Sequence, residues 1–229
     1  MSRRIAEPPA IALLSGVSGR FLPTFRNRPV GSERVTCVAA PPGGLRLSAE
    51  TDLSIDRFQL RQSVEARFDC ALRPLSCMVT ATSGSRRMSL ELQIHGDSAE
   101  VRCTLDGETQ TRSMPNPDRS LVLIDNCFAL HAFAAVVAGG GAGPSSVFNS
   151  IPACDSLKVT VPGAGPILMG GHDLGIPDIT LRLAEEVEEH AWLREGWVER
   201  LALPQAQMRI DWCPEASLAS PASLQGGSR

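Results

Sequence analysis

Apolar and polar side chains alternate along this chain with a period of two, over and over, and that rhythm constrains the fold more than any other feature. Val64-Glu65-Ala66-Arg67-Phe68-Asp69-Cys70-Ala71-Leu72 sets Val64, Ala66, Phe68 and Cys70 on one face and Glu65, Arg67 and Asp69 on the other. Such a stretch buries one side and wets the other, which is a strand on a sheet with a single covered face. Met88 to His95 and Ala99 to Leu105 read the same way, and Gly96-Asp97 and Asp106-Gly107 after them supply residues that tolerate positive φ in tight hairpins. Arg34 to Ala40, Leu45 to Ala49, Leu53 to Leu60, Leu75 to Thr82, Leu157 to Val161, Trp197 to Leu203 and Met208 to Trp212 are further strand candidates. Short strands joined by tight turns predict one large, curved antiparallel sheet.

One segment breaks the rhythm. Asp125 to Ala138 is Ala-rich, opens with the capping residues Asp125 and Asn126 and ends at Gly139-Gly140-Gly141, so it predicts a helix of three to four turns. It is apolar nearly all round and needs cover on most sides. Lying across or inside the concave face of the curved sheet satisfies that need, so the expected fold is mainly β (β-rich α+β), an open half-barrel with one helix. Residues 183–193 fit a helical face through Leu183, Val187 and Ala191, but the turn Arg194-Glu195-Gly196 favours a strand, which is the reading adopted.

Four prolines, Pro8, Pro9, Pro23 and Pro29, interrupt residues 1–31, which are read as an extended Pro-rich arm. Residues 32–213 form the domain, and residues 214–229, small and polar, form a flexible tail. The net charge of −3 gives no global attraction to nucleic acid. No apolar run approaches the ~18 residues of a membrane span, and the apolar stretch at Ala10–Leu14 is too short for a secretory leader. Seven cysteines, an odd number without C-x-x-C, argue against a closed disulfide framework, and with four histidines without H-x-x-x-H the common zinc spacings are missing. A soluble, reduced, cytoplasmic protein without stable membrane insertion is expected, with no metal and no cofactor. Lys158 is the only lysine and sits in a strand-like run, which leaves Schiff-base chemistry almost no place.

Candidate chemistry is sparse. Cys127 and His131, four residues apart, share a helix face, where an imidazole and a helix N-terminus could hold a thiolate; a packed thiol and a hydrogen-bonded core histidine are the plainer alternative. His172 and Asp173, set among glycines, offer a general base or an ordinary surface loop. The run Glu185-Glu186-Val187-Glu188-Glu189 reads as a solvated face. Gly139 to Ser146 lacks the ending of a phosphate loop. Phe58, Phe68, Phe128, Phe133, Trp197 and Trp212 fall on apolar faces and are the expected ligand-binding lining of the half-barrel.

The long strand pairs, the turn His95-Gly96-Asp97, the stretch Leu121 to Asn126 leading into a helix and the closing hairpin Gly196 to Pro204 together resemble the lipoprotein-carrier-like superfamily of LolA/LolB-like and VioE-like open β half-barrels. The resemblance covers roughly residues 32–213 and is one of element order. It implies an apolar pocket on the concave face, holding acyl chains in the carriers and a reactive intermediate in the pathway enzyme; no catalytic set of that enzyme can be placed on this chain. The expected function is binding of a hydrophobic small molecule or acyl chain in the half-barrel cavity. The alternative is a cofactor-independent enzyme, a cyclase or isomerase of a natural-product pathway, that uses the same cavity to orient its substrate.

Overall fold

The computed structural model describes residues 9–116, 120–141, 145–152, 157–160, 168–169, 172–173, 175–182 and 187–215. The elements run α1 (Pro9–Leu14), β1 (Ser18–Phe25), β2 (Arg28–Pro29), β3 (Gly31–Ala40), β4 (Gly44–Ile55), β5 (Phe58–Phe68), β6 (Pro74–Ser83), β7 (Arg86–His95), β8 (Ser98–Leu105), β9 (Glu108–Pro115) and β10 (Ser120–Leu123). After α2 (Phe128–Gly141) come β11 (Ser145–Pro152), β12 (Leu157–Thr160), β13 (Leu168–Met169), β14 (His172–Asp173), β15 (Ile179–Arg182), β16 (Glu188–Arg194), β17 (Trp197–Leu203) and β18 (Met208–Pro214).

The fold is mainly β: a large, open antiparallel sheet with two helices. Strand order is β10-β11-β12-β15-β16-β17-β18-β1-β3-β4-β5-β6-β7-β8-β9, with β2 beside β1. Sequence neighbours pair as hairpins through most of it, because two-residue turns such as Asp106-Gly107 reverse the chain at once. Among the described residues the one parallel pair, β10 with β11, is bridged by α2, since parallel strands need a crossover.

Alternation decides which side chains go inward. In β4 Leu45, Leu47, Ala49, Thr51 and Leu53 are buried, and in β5 Leu60, Gln62, Val64, Ala66 and Phe68 are buried in register with them. Helix α2 lies against this inner face, and Ala129, Leu130, Ala132, Phe133, Ala134, Ala135 and Ala138 are all buried. The Phe133 ring stacks on Phe68 with centroids 4.1 Å apart. A second aromatic group joins the strands of the sheet's centre: Trp212 lies 4.8 Å from Phe21 and 5.8 Å from Trp197.

Two boundaries differ from the sequence reading. Residues 18–25, inside the stretch expected to be an arm, form β1 between β18 and β3, and α1 before it buries Ile11 and Leu14. Pro23 is accommodated because β1 changes partner there: pairing with β3 ends at Phe21, pairing with β2 begins at Thr24, and the Pro23 carbonyl accepts the Val30 N–H. The missing N–H faces that gap, so no ladder bond is lost. The expected strand Leu53 to Leu60 is instead the end of β4 and the start of β5, turning at Asp56-Arg57 with Asp56 at φ 52°. Within the stretch 183–193 expected as strand, Glu188 onward is strand, and residues 183–186 lie outside the described residues.

Candidate functional site

The polar groups of the interior gather at the first turn of α2. Glu33 of β3 is fully buried. Its Oε1 accepts the Ala129 N–H at 2.6 Å, and its Oε2 accepts the Phe128 N–H at 3.1 Å and the Thr51 hydroxyl at 2.7 Å. A helix leaves its first N–H groups unpaired, and here a carboxyl from a neighbouring strand fills that role. Asp125 and Asn126, expected as caps, do not meet these two N–H groups; Asn126 takes a left-handed φ of 60° in the turn before the helix. Burial pushes the Glu33 carboxyl up to about 7, against the pull of Thr51 and the two backbone donors.

One turn along α2, His131 meets Glu189 of β16, with Nδ1 2.5 Å from Oε2. Both are buried, Glu189 fully. Burial disfavours the imidazolium, but the Glu189 carboxylate, by charge and hydrogen bond, outweighs it, and Asp125 and the Ile124 carbonyl add to the effect, so the His131 pKa is raised. Glu189 Oε1 is buried with no hydrogen-bond partner among the described residues. The expectation of a solvated glutamate face therefore fails at Glu189: in strand alternation it is in phase with Ala191, on the inner side. Glu188, on the other phase, pairs with Arg182.

Cys127 precedes the helix and is fully buried. Burial, with the nearby Glu33 carboxyl and Cys77, pushes its thiol well above the ordinary range. A protonated thiol is a poor nucleophile, and His131 lies bound to Glu189 and to the Ile124 carbonyl. The pair singled out by spacing thus lies at the start of the helix, Cys127 just before it and His131 at the end of its first turn. His172 and Asp173 form β14, which pairs with β13 apart from the large sheet.

Among the expected lining residues, Phe68, Phe128, Phe133 and Trp197 are packed in the core, Trp212 is half-buried, and Phe58 is 43% exposed beside the β4–β5 turn. A cavity of about 710 Å³ lies elsewhere. Its walls come mainly from the outward phase of β1 and β3 to β8, including Arg20, Arg34, Glu50, Asp52, Arg61, Ser63, Thr80, Thr82 and Arg87. It is a trough of mixed lining, four arginines and two carboxylates together with Thr51, Gln62, Ala81 and Met88 of the inward phase, and it holds none of the aromatic residues above.

On the inner face the apolar surface runs on past the helix. Met88, Leu90 and Ile94 of β7 and Met114 of β9 are only half-buried and pack against the core; Cys103 is half-buried and Leu105 is 41% exposed. Register places them as one strip, Met88 beside Leu105, Leu90 beside Cys103, and Ile94 beside Ala99 and Met114 in turn. Sequence reading missed this strip because it weighed aromatic residues and not the Met and Leu of the same strands. It also missed Glu33, whose signal was an acid in the apolar phase of Glu33-x-Val35-x-Cys37.

Among the described residues, no group of three or more His, Cys, Asp or Glu side chains could hold a metal ion, and no helix is long and apolar enough to cross a membrane. No family model, no curated protein and no solved structure matches the chain.

Proposed function

We propose that the chain binds an apolar, chain-like guest along the inner wall of its open half-barrel and carries out no chemistry on it. The observation that supports this reading is the strip at β7 to β9. A folded chain gains by covering apolar area, at roughly 25 cal/mol per Å², yet here Met88, Leu90, Ile94, Leu105 and Met114 stay partly in water. Unbranched thioethers adapt to guests of varied shape, which suits a carrier of flexible chains. The state of Cys127 and His131 favours binding over turnover, because a neutral buried thiol and a doubly bound imidazole offer neither nucleophile nor free base. The reading agrees with the apolar concave face that the half-barrel resemblance implies.

Titration with a dansyl-labelled undecanoic acid tests it. Saturable fluorescence enhancement is expected, weakened about tenfold or more by Leu90→Asp and by Met114→Asp, since each puts a charge where ~1.4 kcal/mol of contact is needed to shift affinity that far. Circular dichroism should show both variants folded, as both positions are half-buried. Uptake that never saturates, or that ignores both substitutions, overturns the proposal.

A further inference from the structure

Strand β9 closes the sheet on one side, and no described strand pairs with its outer edge. The turn Asp106-Gly107, both at positive φ, makes Leu105 and Glu108 the closing hydrogen-bonded pair. Alternation then sends the N–H and C=O of Thr109, Thr111 and Ser113 away from β8, where no strand of the described residues takes them. Every residue from Glu108 to Ser113 is exposed. Edges in soluble proteins are commonly blunted by a bulge, an inward charge or a covering segment. Here the β8–β9 register is unbroken and Pro115 stands beyond the free stretch; Glu108 and Arg112, in register with Leu105 and Val101, are inward charges of opposite sign, which a suitably paired strand can offset.

The charges on this edge are one acid and one base. Glu108 and Arg112 are four residues apart and so share a face, with Gln110 midway between them. We propose that β9 docks against β9 of a second copy of this chain, antiparallel, about a two-fold axis at Gln110. In that register Thr109 and the partner's Thr111 exchange main-chain hydrogen bonds, twice by symmetry. Glu108 faces the partner's Arg112, also twice, and Gln110 faces its own copy. The edge is thus complementary to itself in hydrogen bonding and in charge, which is what an isologous contact requires. The two sheets become one continuous sheet, with Glu108, Gln110 and Arg112 of both copies at the seam on the face that carries Leu105 and Cys103.

Sedimentation equilibrium of the full chain from about 1 to 200 µM should show a reversible monomer–dimer equilibrium that weakens with salt, as expected for an interface at the small end of the range. Arg112→Glu alone and Glu108→Arg alone each set like charges opposite one another at two places, and should weaken dimerisation about tenfold. The double variant restores opposite charges and should return to within a few-fold of the parent. Under mild oxidation Gln110→Cys should give an interchain disulfide beyond any seen in the parent, since facing Cα atoms there are about 4.5 Å apart, whereas Thr111→Cys should not. A monomer at every concentration, single reversals without effect, a double variant that stays weak, or cross-linking at Thr111 and not at Gln110 each overturns the proposal.

Discussion

Glu33 points the same way as Val35 and Cys37, into a core that has no other use for a carboxyl than to hold the first turn of α2. Its pKa of about 7, against an ordinary 4.5, means that the folded chain holds the proton over an interval in which the unfolded chain has lost it. Stability contributed this way is complete at the acid end and falls as pH rises from 4.5 to about 7, by on the order of 3 kcal/mol at most. His131 has the same sign, since its raised pKa stabilises the fold below the ordinary 6.5 and that share is lost as pH climbs through the folded value. Glu188, lowered chiefly by its hydrogen bond to Arg182, acts the other way, and its small share is lost as pH falls. The thermal midpoint should therefore drop by several degrees between pH 5 and pH 8. Glu33→Gln should flatten the part of that drop below pH 7, and a midpoint that rises over the interval would contradict the assignment. Spacing in sequence found the Cys127–His131 neighbourhood, but not its partners, because Glu33 and Glu189 reach it from strands 95 and 58 residues away along the chain.

At the scale of elements, α2 was legible from composition alone: an Ala-rich segment apolar on every side demands burial, and it received it. Most strands between 31 and 105 were legible from alternation, and the exceptions are instructive. The Asp56-Arg57 turn carries no glycine, so a strand was drawn through it. Strand β1 was hidden by prolines that sit where pairing changes hands. Strand β9, with Glu108 to Ser113 polar on both faces, has no alternation to read, as an uncovered edge does not need any. The helix is fixed chiefly by its rings and small side chains, so Phe133→Ala, which removes the ring stacked on Phe68, should cost about 3–5 kcal/mol in urea unfolding. Phe58→Ala, at an exposed position, should cost less than about 1 kcal/mol. Equal losses at the two sites would mean that the helix does not organise the core as described.

Over the whole molecule, alternation specified that the sheet would be large and covered on one side, but not the order of its strands. That order depends on the pairing of β1 with β18, seven residue pairs from Gly19–Pro214 to Phe25–Met208. No local signal in either strand names the other. This pairing joins two wings, β3 to β9 on one side and β10 to β17 on the other. A chain cut after Gln207 loses β18 and with it the join, so it should be recovered as aggregate, while a permuted chain that begins at β18 and runs on into β1 through a short linker should fold. Failure of the permutant with success of the cut chain would show that the wings stand independently. The join also has a bearing on the order of events during synthesis. A ribosome completes the first wing long before it makes Met208 to Pro214, so the edge of β1 that β18 takes stays unpaired until that strand emerges. An edge strand left unpaired through most of synthesis is the part of this chain most exposed to wrong pairing before the sheet is joined.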